Sequence, residues 1–225
     1  MPTSDESAAR ELDDQVAGCS AAHQSLLADL ESRDDEWCRA DSALPGWTRG
    51  HVLTHLARNA ESHTRMFVAA SEGRETEQYE GGRPTRNAAI EAGADRAARD
   101  LIADVRKTIY GLEAAWFSAT ATTWSGFGIK SHAQGARVRI SDLVMMRWRE
   151  TEVHHADLVA SVSFADWSAD YVRRDLDYQV MQWRARKPMG LTVLPEGALK
   201  LAPHDRLAWL LGRLDIAGLA KPEAF

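Results

Sequence analysis

The chain has 225 residues, 44% of them hydrophobic and 27% charged, with a formal net charge of −6. This is the composition of a globular protein with a sizeable core, in one large domain or one domain with a small appendage. The acidic balance argues against nucleic acid or an anionic membrane as partner, and no run of about 18 apolar residues is present to span a bilayer. The N-terminal residues Met1 to Ser7 lack the apolar core of a signal peptide, so the expected compartment is the cytoplasm. Cys19 and Cys38 are not a CxxC pair and read as reduced structural residues.

The spacing of apolar residues predicts a first helix over 7–30, with Leu12, Val16, Cys19, Leu26 and Leu30 on one face and Ser4 or Ser7 as cap. Pro45-Gly46 marks a turn, and Thr48 suits the N-cap of a second helix over 49–71. Val52, Leu56, Ala60 and Phe67 give that helix an apolar stripe, with His55 and Asn59 beside it. After the Gly81–Pro84 loop a long third helix is expected over 85–118, broken near Gly93 or Gly111. Residues 120–140 read as a loop or short hairpin, with 124–129 and 136–140 as strands. Ser141 or Asp142 caps a fourth helix that ends near Ser161. A fifth helix over 167–186 follows, then strands at 190–194 and 198–201 joined across Pro195–Gly197, and a last short helix over 207–214. The predicted fold is mainly α: a four-helix bundle over 1–164 and a small α/β appendage over 165–225.

The fourth helix carries the chemistry. Arg147, Glu150, His154 and Asp157 fall at offsets 0, 3, 7 and 10, so they share one face. Glu150 and His154 are one turn apart and can grip a single cation. The competing reading is a solvated face with an i,i+4 pair. A third ligand must come from another helix, and His51 and His55 are the candidates. His55 lies one turn deeper, which better matches a site inside a bundle. His155 points about 100° away from His154. His63, His132 and His204 have no visible partner in the sequence and read as structural imidazoles. Arg147 lies on the ligand face, where it either holds a substrate carboxylate or pairs with a carboxylate of the protein. Trp47 is a candidate pocket wall, and Asp157 a candidate orienter of a ligand histidine.

These residues also carry a resemblance. Leu44-Pro-Gly-Trp47-Thr-Arg-Gly-His51-Val-Leu-Thr-His55-Leu-Ala-Arg-Asn59 resembles the first motif of the mycothiol-dependent maleylpyruvate isomerase family, among the DinB-like metal-binding bundles. Arg149-Glu150, Val153-His154 and Asp157-Leu158 are similar to its second motif, with weaker similarity at Arg86-Asn87, Ile90-Glu91 and Leu210–Arg213. The resemblance implies zinc, or another divalent metal, held by His55, Glu150 and His154, the set that spacing favours. It also implies mycothiol or a related thiol as cosubstrate. Arg86 is then a candidate for binding the thiol or substrate, and Arg213 the nearest counterpart of a C-terminal substrate arginine. The implied reaction is addition of a thiolate to a small electrophilic acid such as maleylpyruvate, giving cis–trans isomerisation or S-transfer. A metal-dependent hydrolase on the same bundle and a non-catalytic binding or stress-response bundle are the alternatives. A monomer or homodimer is expected.

Overall fold

The computed structural model describes residues 4–131, 135–186, 192–220 and 222; His132, Gly190 and Leu191 lie outside them. The chain divides into two compact units, Met1–Ala160 and Ser161–Phe225.

Four long helices build the first unit: α1 (Ser4–Leu30), α3 (Arg49–Ser71), α5 (Ala98–Ser118) and α7 (Asp142–Asp157). A short helix α2 (Asp35–Arg39) precedes α3, and α4 (Gly82–Gly93) precedes α5. Helix α3 packs on α5 and α7, and α1 packs on the same two, so the four close a ring. Leu26, Leu30, Leu53, Leu56, Leu101 and Ile109 are among the side chains buried inside it. Those residues recur every three or four positions, and burying the resulting stripe is what holds helices of this kind together.

The long third helix expected over 85–118 is two helices, α4 and α5, broken after Gly93 and continuous through Gly111. Local propensity does not decide between the glycines; packing does. A Cβ at Gly93 would come within 2.6 Å of Thr54 Cγ2, and one at Gly50 would overlap the Ala94 carbonyl oxygen. Helix α3 therefore presses directly on the break. Asp35, on α2, then accepts the Ala98 N–H at 2.7 Å and supplies the cap that α5 lacks in its own sequence.

Thr48 caps α3 as expected. The hairpin is shorter than predicted: β1 (Phe127–Ile129) pairs antiparallel with β2 (Arg137–Arg139), Gly128 opposite Val138. Trp124 lies instead on a short helix α6 (Ala121–Ser125) that Thr120 caps. Helix α7 stops at Asp157, short of Ser161, because its end is capped from outside. Ala43 N–H donates to the Asp157 carbonyl at 2.8 Å and Arg49 Nε to the Leu158 carbonyl at 2.7 Å.

The second unit holds a 3-10 turn at Phe164–Asp166, then α8 (Ala169–Ala185), α9 (Glu196–Leu199) and α10 (Pro203–Leu210). Its core contains Leu194, Ala198, Trp209 and Leu210. The strand expected over 198–201 is not formed: Ala198 and Leu199 belong to α9. Arg206 donates to the carbonyls of Ala198, Leu199 and Leu201, so a guanidinium takes the acceptors a partner strand would need. Thr192–Leu194 have no regular structure. Helix α10 starts earlier than predicted, with Pro203 in its first turn, and ends before Gly212, which adopts φ +70°. The fold is mainly α, and among the described residues no helix is long and apolar enough to cross a membrane.

The two glycines make a matched test. Gly50→Ala is expected to destabilise the protein by about 1–3 kcal/mol through overlap with the Ala94 carbonyl. Gly111→Ala, with nothing within 4 Å of the added methyl, is expected to stabilise it by about 0.5–1 kcal/mol. Urea unfolding of both variants checks the pair.

Candidate metal centre

Three ligand-type atoms converge between α3 and α7. His55 Nε2 lies 2.8 Å from Glu150 Oε2 and 3.1 Å from His154 Nε2, and His154 Nε2 lies 3.4 Å from the same Glu150 oxygen. A tetrahedral ion with bonds of about 2.0–2.1 Å holds its ligands roughly 3.3 Å apart. The spacing and the N, N, O donor set thus fit a borderline divalent cation. Among the described residues this is the one group of three or more histidine, cysteine or acidic side chains close enough to hold a metal. The His55 and His154 side chains are 4% and 14% exposed, whereas Glu150 keeps 33%. The cluster therefore opens to solvent on its carboxylate side.

The surroundings fix each ring. Asp157 accepts from His154 Nδ1 at 2.8 Å, which turns Nε2 into the cluster. Arg86, on α4, places Nη2 3.0 Å from His55 Nδ1. A guanidinium only donates, so this Nδ1 accepts and the proton of a neutral ring sits on Nε2, shared with Glu150. Trp47 flanks the same ring, 5.8 Å between centroids. His51 is used differently: its Nδ1 accepts the Thr48 N–H at 3.2 Å in the capping box of α3. His155 is buried and reaches Asp29 Oδ2 at 3.1 Å. His204, in the second unit, bonds the Trp167 carbonyl.

Arg147 is wholly buried. Its Nε donates to His23 Nε2 at 3.0 Å, and its Nη1 to the Leu56 carbonyl and to Asn59 Oδ1, each at 2.9 Å. These bonds hold the side chain in the bundle interior through Nε and Nη1, and its Nη2 is buried without a partner among the described residues. Behind it, His23 Nδ1 donates to Glu113 at 2.9 Å. Arg213 follows α10 in the second unit, with Nη1 on the Leu211 carbonyl.

Sequence reasoning missed several neighbours. Tyr79, between α3 and α4, has its phenol pushed up by burial and by the Glu150 charge, with Ser62 and Arg86 acting against that. Lys130, after β1, is pulled down by burial and by Arg149. Neither sits in a periodic element beside a ligand, so no spacing signal marks them. His23 and Glu113 lie 90 residues apart on α1 and α5 and meet only in the folded chain.

Electrostatics separates the two histidines of the cluster. Burial lowers His55 to about 4, with Glu150 opposing. Burial also pulls on His154, but Asp157 and Glu150 outweigh it and the net shift is upward. Burial pushes Glu150 up, yet the two histidines hold it well below the usual carboxylate range.

A sequence model of the mycothiol maleylpyruvate isomerase N-terminal domain matches residues 5–159, the segment that holds all three converging side chains. The chain belongs to this family. No curated protein sequence matches it. Two solved structures share its fold. One is the crystal structure of the mycothiol-dependent maleylpyruvate isomerase, 22% identical, with a TM-score of 0.83 over 95% of this chain and 97% of that one. The other, a histidine-to-alanine mutant form of the mycothiol-dependent maleylpyruvate isomerase, is also 22% identical over the same shares, with a TM-score of 0.82. Within this domain the converging side chains stand on α3 and α7.

Burial lowers His23 and His55 to about 4, His63 to about 3, and His155 as well. The metal-free unfolded chain therefore binds more protons than the folded one from about pH 6.5 down toward pH 4, and stability falls on acidification across that window. His154 opposes this, since its raised value gives a contribution present below about pH 6.5 and lost as pH rises through the folded value. Both ring nitrogens of His63 are buried without a partner among the described residues. His63→Leu is expected to keep the fold and to recover on the order of 1–2 kcal/mol of the loss between pH 7 and pH 5, measured by urea unfolding of metal-free protein.

Proposed function

We propose that this protein is a metal-dependent, low-molecular-weight-thiol-dependent enzyme, a cis–trans isomerase or S-transferase acting on a small electrophilic acid of the maleylpyruvate type. The observation that carries the reading is the convergence of His55, Glu150 and His154 within 4.8 Å on the family's domain. The similar solved enzyme is named for mycothiol and maleylpyruvate, which supports mycothiol or a related thiol and an enoyl diacid here. His55, Glu150 and His154 would hold the metal, zinc or another divalent cation. Such a cation would lower the pKa of a bound thiol, so that thiolate is available near neutral pH. Addition and expulsion of that thiol across a cis double bond makes the bond rotatable and returns the trans isomer.

The remaining work falls to the protein's own groups. Its two thiols are poor nucleophiles: Cys19 and Cys38 are buried, and burial pushes Cys38 up to about 11 and Cys19 higher still. An external thiol is what the site requires. Asp157 holds His154 with Nε2 facing inward. For His55 Nε2 to offer its lone pair, the ring proton must move to Nδ1, which can then no longer accept from Arg86. Arg86 is released at that moment, beside the site and ready for a carboxylate of thiol or substrate. Trp47 excludes water from the His55 side. Arg147 keeps α7 seated on α3, and Arg213 is the nearest counterpart in the sequence of a C-terminal substrate arginine. The compartment that fits a mycothiol-type cosubstrate is the cytoplasm.

Elemental analysis of protein purified without added metal or affinity tag is expected to give about one divalent ion per chain. His55→Ala, Glu150→Ala and His154→Ala should each lose it while circular dichroism stays helical. Asp157→Ala should bind it about 10–100-fold more weakly. Full metal content in all three ligand variants would defeat the assignment. Turnover of an enoyl diacid without added thiol would favour a hydrolase-type use of the same site.

A further inference from the structure

A second cavity lies away from the metal centre, between α1, α5 and α6. Its volume is about 250 Å³, and its lining includes Asp13, Val16, Glu113, Trp116, Phe117 and Trp124. That is somewhat below the roughly 300–1,000 Å³ of sites for drug-sized ligands, so it suits a smaller molecule.

The chemistry of the walls is one-sided. Three aromatic rings are present, Trp116, Phe117 and Trp124, and the two ionisable side chains of the lining, Asp13 and Glu113, are both acidic. Phe117 is 95% exposed, although its neighbour on the same helix, Trp116, is buried. The phenyl ring of Phe117 thus stands at the open rim of the cavity. The Glu113 side chain is 24% exposed, and one of its oxygens bonds His23. Trp116 stacks on that same His23, ring centroids 5.8 Å apart, so the wall is held rigid. Its indole N–H is buried and has no partner among the described residues; being a donor only, it contributes nothing to holding a cation. Aromatic faces attract cations through the ring quadrupole, and carboxylates at the rim add to the attraction. An anion or a neutral polar molecule gains neither.

We propose that this cavity is a binding site for a small organic cation with an apolar body, an ammonium whose charge is met by Asp13 and Glu113 and whose body lies among Trp116, Phe117 and Trp124. The site is independent of the thiol chemistry proposed above. It is nonetheless wired to it, because Glu113 is the outer end of the chain that runs through His23 to Arg147.

The probe is benzyltrimethylammonium chloride, with sodium benzenesulfonate and benzyl alcohol as controls of matched body and different charge. Binding is read by tryptophan fluorescence and by titration calorimetry on the full chain. The expected result is saturable binding of the cation and none of the sulfonate. Phe117→Ala and Asp13→Asn are surface changes that leave the bundle folded, and each should weaken the cation by about fivefold or more. Glu113→Gln keeps the hydrogen bond to His23 and should weaken it further. Absence of saturable binding by the unaltered chain would overturn the proposal, as would equal binding of the sulfonate. So would affinity unchanged in Phe117→Ala and Asp13→Asn, or a dimer, seen by sedimentation, that Phe117→Ala dissociates and that excludes the probe.

Discussion

The first unit depends on how one buried guanidinium is held, through Nε and Nη1, while its Nη2 has no partner among the described residues. Arg147 stands on α7 with no exposure to water. It bonds His23 on α1 and both the Leu56 carbonyl and Asn59 on α3, and His23 passes the connection to Glu113 on α5. One polar network thus ties together all four long helices. A buried charge left unpaired costs several kcal/mol, and removing one partner of a buried ion pair costs about 3–5 kcal/mol. The network therefore acts as a register pin: any slippage of α7 along α3 strands the charge. Hydrophobic burial drives the bundle together, but apolar stripes tolerate sliding by a turn far better than a hydrogen-bonded guanidinium does.

That pin matters because Glu150 follows Arg147 by three residues and His154 by seven. With Arg147 locked to Leu56 and Asn59, the next turns of α7 face His55, one residue before Leu56. The ligand spacing of 2.8–3.4 Å follows from where the guanidinium is held. The outer supports repeat the logic. Arg49 and Ala43 finish the C-terminus of α7 from outside, and Asp157, at that same end, orients His154. The cluster is built on rigid helices and braced by groups that do not belong to it, which is how a site is held to within a fraction of an ångström.

The centre is also electrostatically divided. His55 is kept neutral by burial, while His154 and Glu150 share a favourable charge arrangement. Arg86 supplies positive charge beside His55, 3.0 Å from its Nδ1. A guanidinium at the edge of a partly open cluster favours an anionic ligand although the chain as a whole carries −6.

Much of this was legible in the sequence. Period-3.6 stripes marked the helices, Thr48 marked the start of α3, and the offsets between Arg147, Glu150, His154 and Asp157 placed them on one face, because a helix converts spacing into direction without help from the rest of the chain. What the sequence alone left open was anything that needs two distant segments. Depth along the helix favoured His55 over His51, but only the fold shows what His51 does instead, its Nδ1 accepting Thr48 N–H in the capping box. Arg147 read as a substrate clamp or an ion-pair partner until His23, Leu56 and Asn59 were seen to enclose it. Gly93 and Gly111 were equal candidates for the break until α3 was found pressing on one of them. Residues 198–201 have a strand's composition, yet Arg206 takes their carbonyls and makes them helix and turn. Local backbone preference is worth tenths of a kcal/mol per residue, and a buried contact or an unmet polar group is worth several times that. The sequence by itself therefore determined which helices form and which faces they show; the tertiary structure decided where each helix ends, which histidine meets the carboxylate, and what holds them there.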